Sequence, residues 1–296
     1  MNGAMNALII GLRILEYSSI DTKCGARMNM RLVPAEEIES DARFAFGENW
    51  SRFLTGLNDT RIGQAEHSLR NMLKVENLQG KRFLDIGSGS GLFSLAARRL
   101  GATVFSFDYD PKSVACTQEL KRRYFANDQY WKVERASVLD EAYLSNLGRF
   151  DLVYSWGVLH HTGQMYRAFV NVIRVVAAGG TLFIAIYNDQ GLTSSYWSLV
   201  KTLYNKNWVA RFFIVAVHTP YLIGLRWLAR ALTGRLSLER GMSLWHDMID
   251  WLGGYPFEVA KPEAVFRFFR DHGFVLEELR TCGARMGCNE FVFRRL

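Results

Sequence analysis

A chain of 296 residues with 49% hydrophobic and 22% charged residues has enough apolar side chains for a real core, which excludes a disordered protein. Its net charge of +7 and pI near 9.3 favour anionic partners, yet the basic residues are dispersed and form no nucleic-acid-type tail. The four cysteines, Cys24, Cys116, Cys282 and Cys288, make no CxxC pair, so free thiols in a reducing cytoplasm are expected and a metal site is not.

Residues 1–31 hold one short apolar stretch, Ala7 to Leu15, broken by Arg13. That is too short to span a bilayer, and the segment reads as a flexible extension with Met28 or Met30 as an alternative start. Residues 32–188 read as N-terminal helices followed by an α/β core. Phe53, Leu57, Ile62, Leu69 and Leu73 recur at helical spacing. The pattern then shifts to short β-type runs separated by helices. Lys81 to Ile86 is a strand, followed by a Gly-rich turn and a helix from Leu92 to Leu100. Thr103 to Phe107 is a second strand, and Asp110 caps a helix that opens with Pro111 and runs to Tyr124. Tyr130 to Glu134 and Phe150 to Ser155 are the third and fourth strands. A helix from Gln164 to Ala177, closed by Gly179-Gly180, leads to a fifth strand, Thr181 to Tyr187. Such alternation predicts a doubly wound, mostly parallel sheet with helices on both faces.

Residues 189–258 break that rhythm. They are helical, aromatic and basic, with Trp197, Trp208, Phe212, Phe213, Tyr221, Trp227, Trp245 and Trp251 set among Arg211, Arg226, Arg230, Arg235 and Arg240. This insertion reads as a substrate lid, as ordinary packing or a dimer face, or as a helix lying on a membrane surface. Residues 259–296 return to the core with a helix from Pro262 to His272 and two strands, Phe274 to Arg280 and Asn289 to Arg294, which bring the sheet to seven.

The decisive segment is Leu84-Asp85-Ile86-Gly87-Ser88-Gly89-Ser90-Gly91, between a strand and a helix. Glycines there let a ligand approach the backbone. A dinucleotide fingerprint would be GxGxxG, and neither frame fits, because the required third glycine falls on Leu92 or Ser94. DxGxGxG after a first strand, with Asp108 ending the second, resembles the class I S-adenosylmethionine-dependent methyltransferases. Phe150 to Ser155 followed by Trp156-Gly157-Val158-Leu159-His160-His161 is similar to the ubiquinone-biosynthesis type of small-molecule methyltransferase. The resemblance covers about residues 45–190 and the last two strands.

That resemblance implies a Rossmann-like methyltransferase fold and S-adenosylmethionine as cofactor. Asp85, Gly87 and Gly89 would line the methionine part, with Ser88 and Gly91 in the same turn. Asp108, with Tyr109 beside it, would accept from both ribose hydroxyls, since a carboxylate offers the paired acceptors a diol needs. Ser137 and Val138 stand where the family contacts adenine, although the family often has an acid at Ser137; Asp140 reads as a helix cap. Ser155 and Trp156 complete the cofactor set, and Asn49 and Trp50 close over it or pack in the core.

Methyl transfer needs an aligned acceptor, and a hydroxyl or amine acceptor also needs a base, for which histidine is suited. His161 is the first candidate and His246 the second. His246 and Asp250 are four apart and share a helix face. His160, Tyr187, Asp250, Tyr255 and Asn289 are candidate substrate contacts. The expected acceptor is a small or medium-sized molecule, with oxygen preferred over nitrogen or sulfur. Nucleic acid is disfavoured, because the fourth strand lacks an Asp/Asn-Pro-Pro-aromatic motif. Membrane contact through the insertion and an oligomer both stay open, as does a non-catalytic protein that binds the cofactor to regulate a partner.

Overall fold

The computed structural model describes residues 50, 54, 56–224, 244–283 and 285–296, all within one compact unit spanning residues 37–296. The expected N-terminal extension, Asn49 and the helices expected before residue 50 lie outside the described residues, as does segment 225–243. The side chains of His246 and Asp250 also lie outside them.

The described chain opens with helix α1 (Asp59–Leu73), whose N-cap Asn58 accepts the Arg61 amide on its side chain. Strands β1 (Arg82–Ile86), β2 (Thr103–Asp108), β3 (Trp131–Arg135), β4 (Phe150–Trp156) and β5 (Val176–Tyr187) alternate with helices α2 (Leu92–Arg99), α3 (Pro111–Tyr124), α4 (Glu141–Leu147) and α5 (Met165–Val175). Asp110 caps α3 ahead of Pro111, as expected from the sequence. Asp140 likewise accepts the Tyr143 amide and opens α4, a helix too short for its apolar period to show.

The insertion folds as α6 (Leu192–Lys206), α7 (Trp208–Thr219), a π turn (Pro220–Gly224) and α8 (Leu244–Gly253). These elements share a small core of Trp197, Val200, Tyr204, Leu222, Met248 and Leu252. Helix α9 (Pro262–Asp271), β6 (Phe274–Arg280) and β7 (Cys288–Arg295) complete the fold.

The seven strands lie in the order β3-β2-β1-β4-β5-β7-β6, with β7 antiparallel to both neighbours and the first five parallel. Alternate residues of β1 feed opposite layers. Leu84 and Ile86 join Phe107, Val153, Phe169 and Phe291 on one face, while Phe83 joins Leu95, Leu120, Trp131 and Phe183 on the other. Strand order reverses between β1 and β4, and in open α/β sheets the carboxyl edge at such a switch point is where a ligand crevice forms.

Most strand boundaries move by a single residue, but one differs in kind. Gly179-Gly180 does not close a helix but lies in an irregularity inside β5. Helix α5 ends at Val175, Val176 already pairs with Phe150, and pairing resumes only at Leu152 with Thr181. The residues between must bulge out. Gly179 has φ 69°, and a Cβ on Gly180 would come within 2.9 Å of the Ala177 carbonyl.

Candidate active site

The turn after β1 is held by its own backbone. The Gly87 and Ser88 amides both donate to the Phe107 carbonyl at the end of β2 (2.9 and 3.1 Å), and the Gly91 amide donates to Ser88 (2.8 Å). Gly87, Gly89 and Gly91 have φ of 74°, 55° and 79°, the left-handed region that disfavours a Cβ. Space forbids one as well. A Cβ on Gly87 would stand 2.5 Å from both Val158 methyls, and one on Gly91 would stand 2.8 Å from the Thr117 backbone. The Trp50 indole lies over the turn, 3.1 Å from where a Gly89 Cβ would be. The Ser88 hydroxyl bonds that of Thr117 (2.9 Å) and is buried.

Two carboxyls meet beneath this turn. Asp108 accepts the Gly89 amide on Oδ2 and the Asp110 amide on Oδ1, each at 2.9 Å. Burial raises its pKa to about 6 against those bonds. Asp85 is buried and accepts the Ser94 hydroxyl, which in turn contacts Ser106 at 2.7 Å. Burial raises Asp85 to about 7; the Ser94 bond opposes the rise and the nearby Asp108 charge adds to it.

A cation placed beside these acids would favour their charged form. S-adenosylmethionine carries a sulfonium and an ammonium, and its ribose diol matches the second lone pair on each Asp108 oxygen, so the residues present fit the group. Beside Asp108, at the carboxyl ends of β2 and β3, a cavity of about 380 Å³ is lined by Tyr109, Arg135, Ala136, Ser137, Leu139, Asp140, Gln164 and Arg167. The Arg135 guanidinium lies over the Tyr109 ring, 5.9 Å from its centre.

The other side of the crevice is built by the 3-10 turn Leu159–His161 after β4 and by the end of β5. His160 and His161 have ring centres 4.5 Å apart, and both rings contact Tyr187, at 4.0 and 5.4 Å. His161 is partly buried, and its Nδ1 lies 2.6 Å from the Pro256 carbonyl. A carbonyl only accepts, so Nδ1 carries the proton and Nε2 is the basic nitrogen of the neutral ring. Burial pushes His161 down to about 4, with the Lys201 charge adding to the drop and the Pro256 bond opposing it. His160 is fully buried, accepts the Tyr187 amide at Nδ1 (3.4 Å), and is pushed well below the usual imidazole range by burial first and then by His161 and Lys201.

Segment 255–258 clamps this turn. The Glu258 amide donates to the His160 carbonyl (2.9 Å), while the Glu258 carboxylate accepts the Met165 amide at 3.1 Å on each oxygen. It thereby caps α5, whose N-cap Gln164 makes no side-chain cap bond. Burial raises Glu258 to about 7.

Several expected site residues sit in the framework. The Ser155 hydroxyl donates to the Ile86 carbonyl (3.1 Å) and joins β4 to β1, and Trp156 Nε1 donates to Glu290 (2.8 Å). Val138 is buried, and Ser137 Oγ accepts the Leu139 amide (3.1 Å) at the cavity rim. Asn289 is buried between Asn188 (3.1 Å) and the Cys282 amide (3.1 Å). Tyr255 is partly buried in the clamp segment.

Lys201 and Glu258 escaped the sequence reading as site residues. Lys201 is fully buried, donates to the Trp251 carbonyl, and lies over the Trp251 and Phe257 rings at 4.3 and 4.9 Å. Its signal was spacing: Trp197, Val200, Lys201 and Tyr204 form one face of α6, and that face is the buried one. Arg135, Gln164 and Arg167 had no such signal.

Residues 84–184 match the family described as a methyltransferase domain. Curated relatives include the ubiquinone biosynthesis O-methyltransferase of Sinorhizobium medicae, 30% identical over 124 residues, covering 42% of this chain and 48% of that one. That of Methylocella silvestris is 29% identical over 191 residues, covering 58% and 72%. The chain thus spans about half the length of the first of these. Among solved structures, the magnesium protoporphyrin IX methyltransferase of Synechocystis with bound SAH superposes with a TM-score of 0.51 at 15% identity, over 84% of this chain and 94% of that one. The seven-stranded sheet with antiparallel β7 is the methyltransferase fold that the sequence predicted. Glycine turn, sheet order and matched domain agree: residues 84–184 match a methyltransferase domain, and the described chain has the methyltransferase fold.

Proposed function

We propose that the protein methylates a hydroxyl on a small or medium-sized, largely apolar acceptor, with His161 as the base. The observation that carries this reading is the neutral His161 ring, oriented by Pro256 at the carboxyl edge of β4 and backed by Tyr187. A ring with a pKa near 4 keeps its Nε2 lone pair throughout the neutral range.

S-adenosylmethionine, when bound, supplies the electrophilic methyl carbon. The chain does the rest. The turn at Gly87 to Gly91 and the Asp108 carboxylate would hold the adenosyl part, with Tyr109 and Ser137 at the purine side of the cavity. His161 would take the acceptor hydroxyl's proton at Nε2 as oxygen becomes the nucleophile. Tyr187, Trp197, Trp251 and Phe257, which border a cavity of only about 10 Å³, would exclude water and give the acceptor side an apolar wall. An oxygen acceptor agrees with the named activity of the two curated relatives.

The test is an acceptor screen over phenols, sugar hydroxyls, amines and thiols, reading release of S-adenosylhomocysteine. Phenols or other apolar hydroxyl compounds are expected to react fastest. Turnover with amines or thiols alone would overturn the oxygen assignment, and tight cofactor binding without any turnover would leave a regulatory binding protein.

A further inference from the structure

Helices α6 and α7 are two-faced, and only one face is used. Inward, Trp197, Val200 and Tyr204 of α6 are buried, and Ile214 and Val215 of α7 pack on the same cluster. His218 anchors α7 from inside, bonding the Tyr196 hydroxyl (2.7 Å) and the Ile214 carbonyl (2.7 Å). Outward, Leu192, Tyr196, Leu199 and Leu203 line one exposed stripe of α6. Helix α7 continues it with Trp208, Phe212, Phe213 and Val217, exposed at 83, 70, 61 and 69%. Such contiguous apolar exposure exceeds what scattered surface residues explain.

Charge selects the occupant. From Gln190 to Leu238 the sequence contains no Asp or Glu, whereas besides the buried Lys201 it contains Lys206, Arg211, Arg226, Arg230 and Arg235. Lys206 and Arg211 are exposed beside the aromatic stripe. A second copy is a poor match, because a two-fold contact would set this basic patch against itself with no acid to pair it. Aromatic side chains flanked by Lys and Arg suit an interface with anionic headgroups.

We infer that the outer face of α6 and α7 docks on an anionic lipid bilayer, with Trp208, Phe212 and Phe213 entering the headgroup boundary and Lys206 and Arg211 meeting phosphate. No helix among the described residues is long and apolar enough to cross a membrane, so the contact is peripheral. The inner face of α6 bears Trp197 and Lys201 beside the His160–His161 end of the crevice, and docking sets that end close to the lipid. Docking does not depend on the identity of the acceptor.

The test is flotation of the full chain with vesicles of phosphatidylglycerol mixed into phosphatidylcholine, against phosphatidylcholine alone. Binding is expected only to the anionic vesicles and should weaken as salt rises. The double variant Phe212→Ser, Phe213→Ser should weaken it by about tenfold or more, with affinity for S-adenosylhomocysteine unchanged by calorimetry. Lys206→Glu alone should also weaken it, which keeps the test open if the double variant misfolds. Absence of binding to the anionic vesicles, equal binding by parent and folded variants, or a dimer in sedimentation that the double variant dissolves would each overturn the inference.

Discussion

The glycine-turn end and the histidine end of the same sheet edge both bury ionisable groups, and burial moves them in opposite directions. Asp108 and Asp85 climb to about 6 and about 7, while His161 falls to about 4. Both shifts run toward the neutral form, since low dielectric disfavours charge of either sign. The consequences differ. A cation placed against the carboxyls would restore their charge, whereas the imidazole is already neutral near pH 7. Under the proposed function, one end would take a cation more readily as pH rises, and the other would be a base whose state hardly changes near neutrality.

The largest expected effect breaks the histidine end alone. His161→Ala should lower turnover by roughly 10²–10⁴-fold while cofactor affinity by calorimetry stays the same. Parallel loss of both would move His161 from acid–base chemistry to framework. Gly87→Ala breaks the other end. Its Cβ would meet Val158 at a strained φ, and cofactor affinity should fall on the order of 100-fold, with partial recovery when Val158→Ala is added. Asp108→Ala should weaken the cofactor by about 1.5–3 kcal/mol, and an unchanged dissociation constant would remove it from the ribose role.

Titration separates the ends without mutation. Cofactor affinity should rise with pH through the window set by Asp108 and Asp85, about 6 to 7, and level off above it. Turnover at saturating cofactor should stay flat there and decline only toward the His161 value near 4. Stability of the ligand-free chain runs the other way. A carboxyl whose folded pKa is raised stabilises below its unfolded value of 3.8, and that stability is lost as pH rises through 6 to 7. The thermal shift produced by S-adenosylmethionine should therefore be larger at neutral than at mildly acidic pH. The smallest effect belongs to Glu258→Gln. The amide oxygen can still accept the Met165 amide, so stability should change by about 1 kcal/mol or less, but the melting temperature should vary less with pH between the unfolded value of 4.5 and about 7.

The glycine-turn end was the more legible in sequence, for a physical reason. Strand, turn and helix there are contiguous, and positive φ, close backbone approach and a capping Asp each demand particular residue types at fixed spacing. Asp85, Gly87, Gly89, Asp108 and Asp110 therefore announce themselves. The histidine end is assembled from pieces far apart in the chain: His161 from after β4, Tyr187 from β5, Lys201 from α6 and Pro256 and Glu258 from the clamp. No local pattern encodes their meeting. Lys201 could have been placed by its helical face, but charge argued for the surface. In α7 both faces are apolar, so periodicity does not tell Ile214 and Val215, which are packed, from Phe212 and Phe213, which are not. Gly179-Gly180 misled because a glycine pair that ends a helix and one that relieves a bulge look alike.

Strand β7 sits between β5 and β6, though it is the last of the seven to be synthesised. Until it emerges from the ribosome, β5 presents a bare row of amides and carbonyls next to hydrophobic Leu182, Phe183 and Ile184, a template for sticking to other nascent chains. Insertion of β7 closes that edge, ties Glu290 to Trp156 and Arg295 to Ile173 and Val176, and gives β6 its partner in one event. A chain truncated before Cys288 and released therefore exposes two orphan edges at once, and such truncated products are the ones expected to demand chaperones.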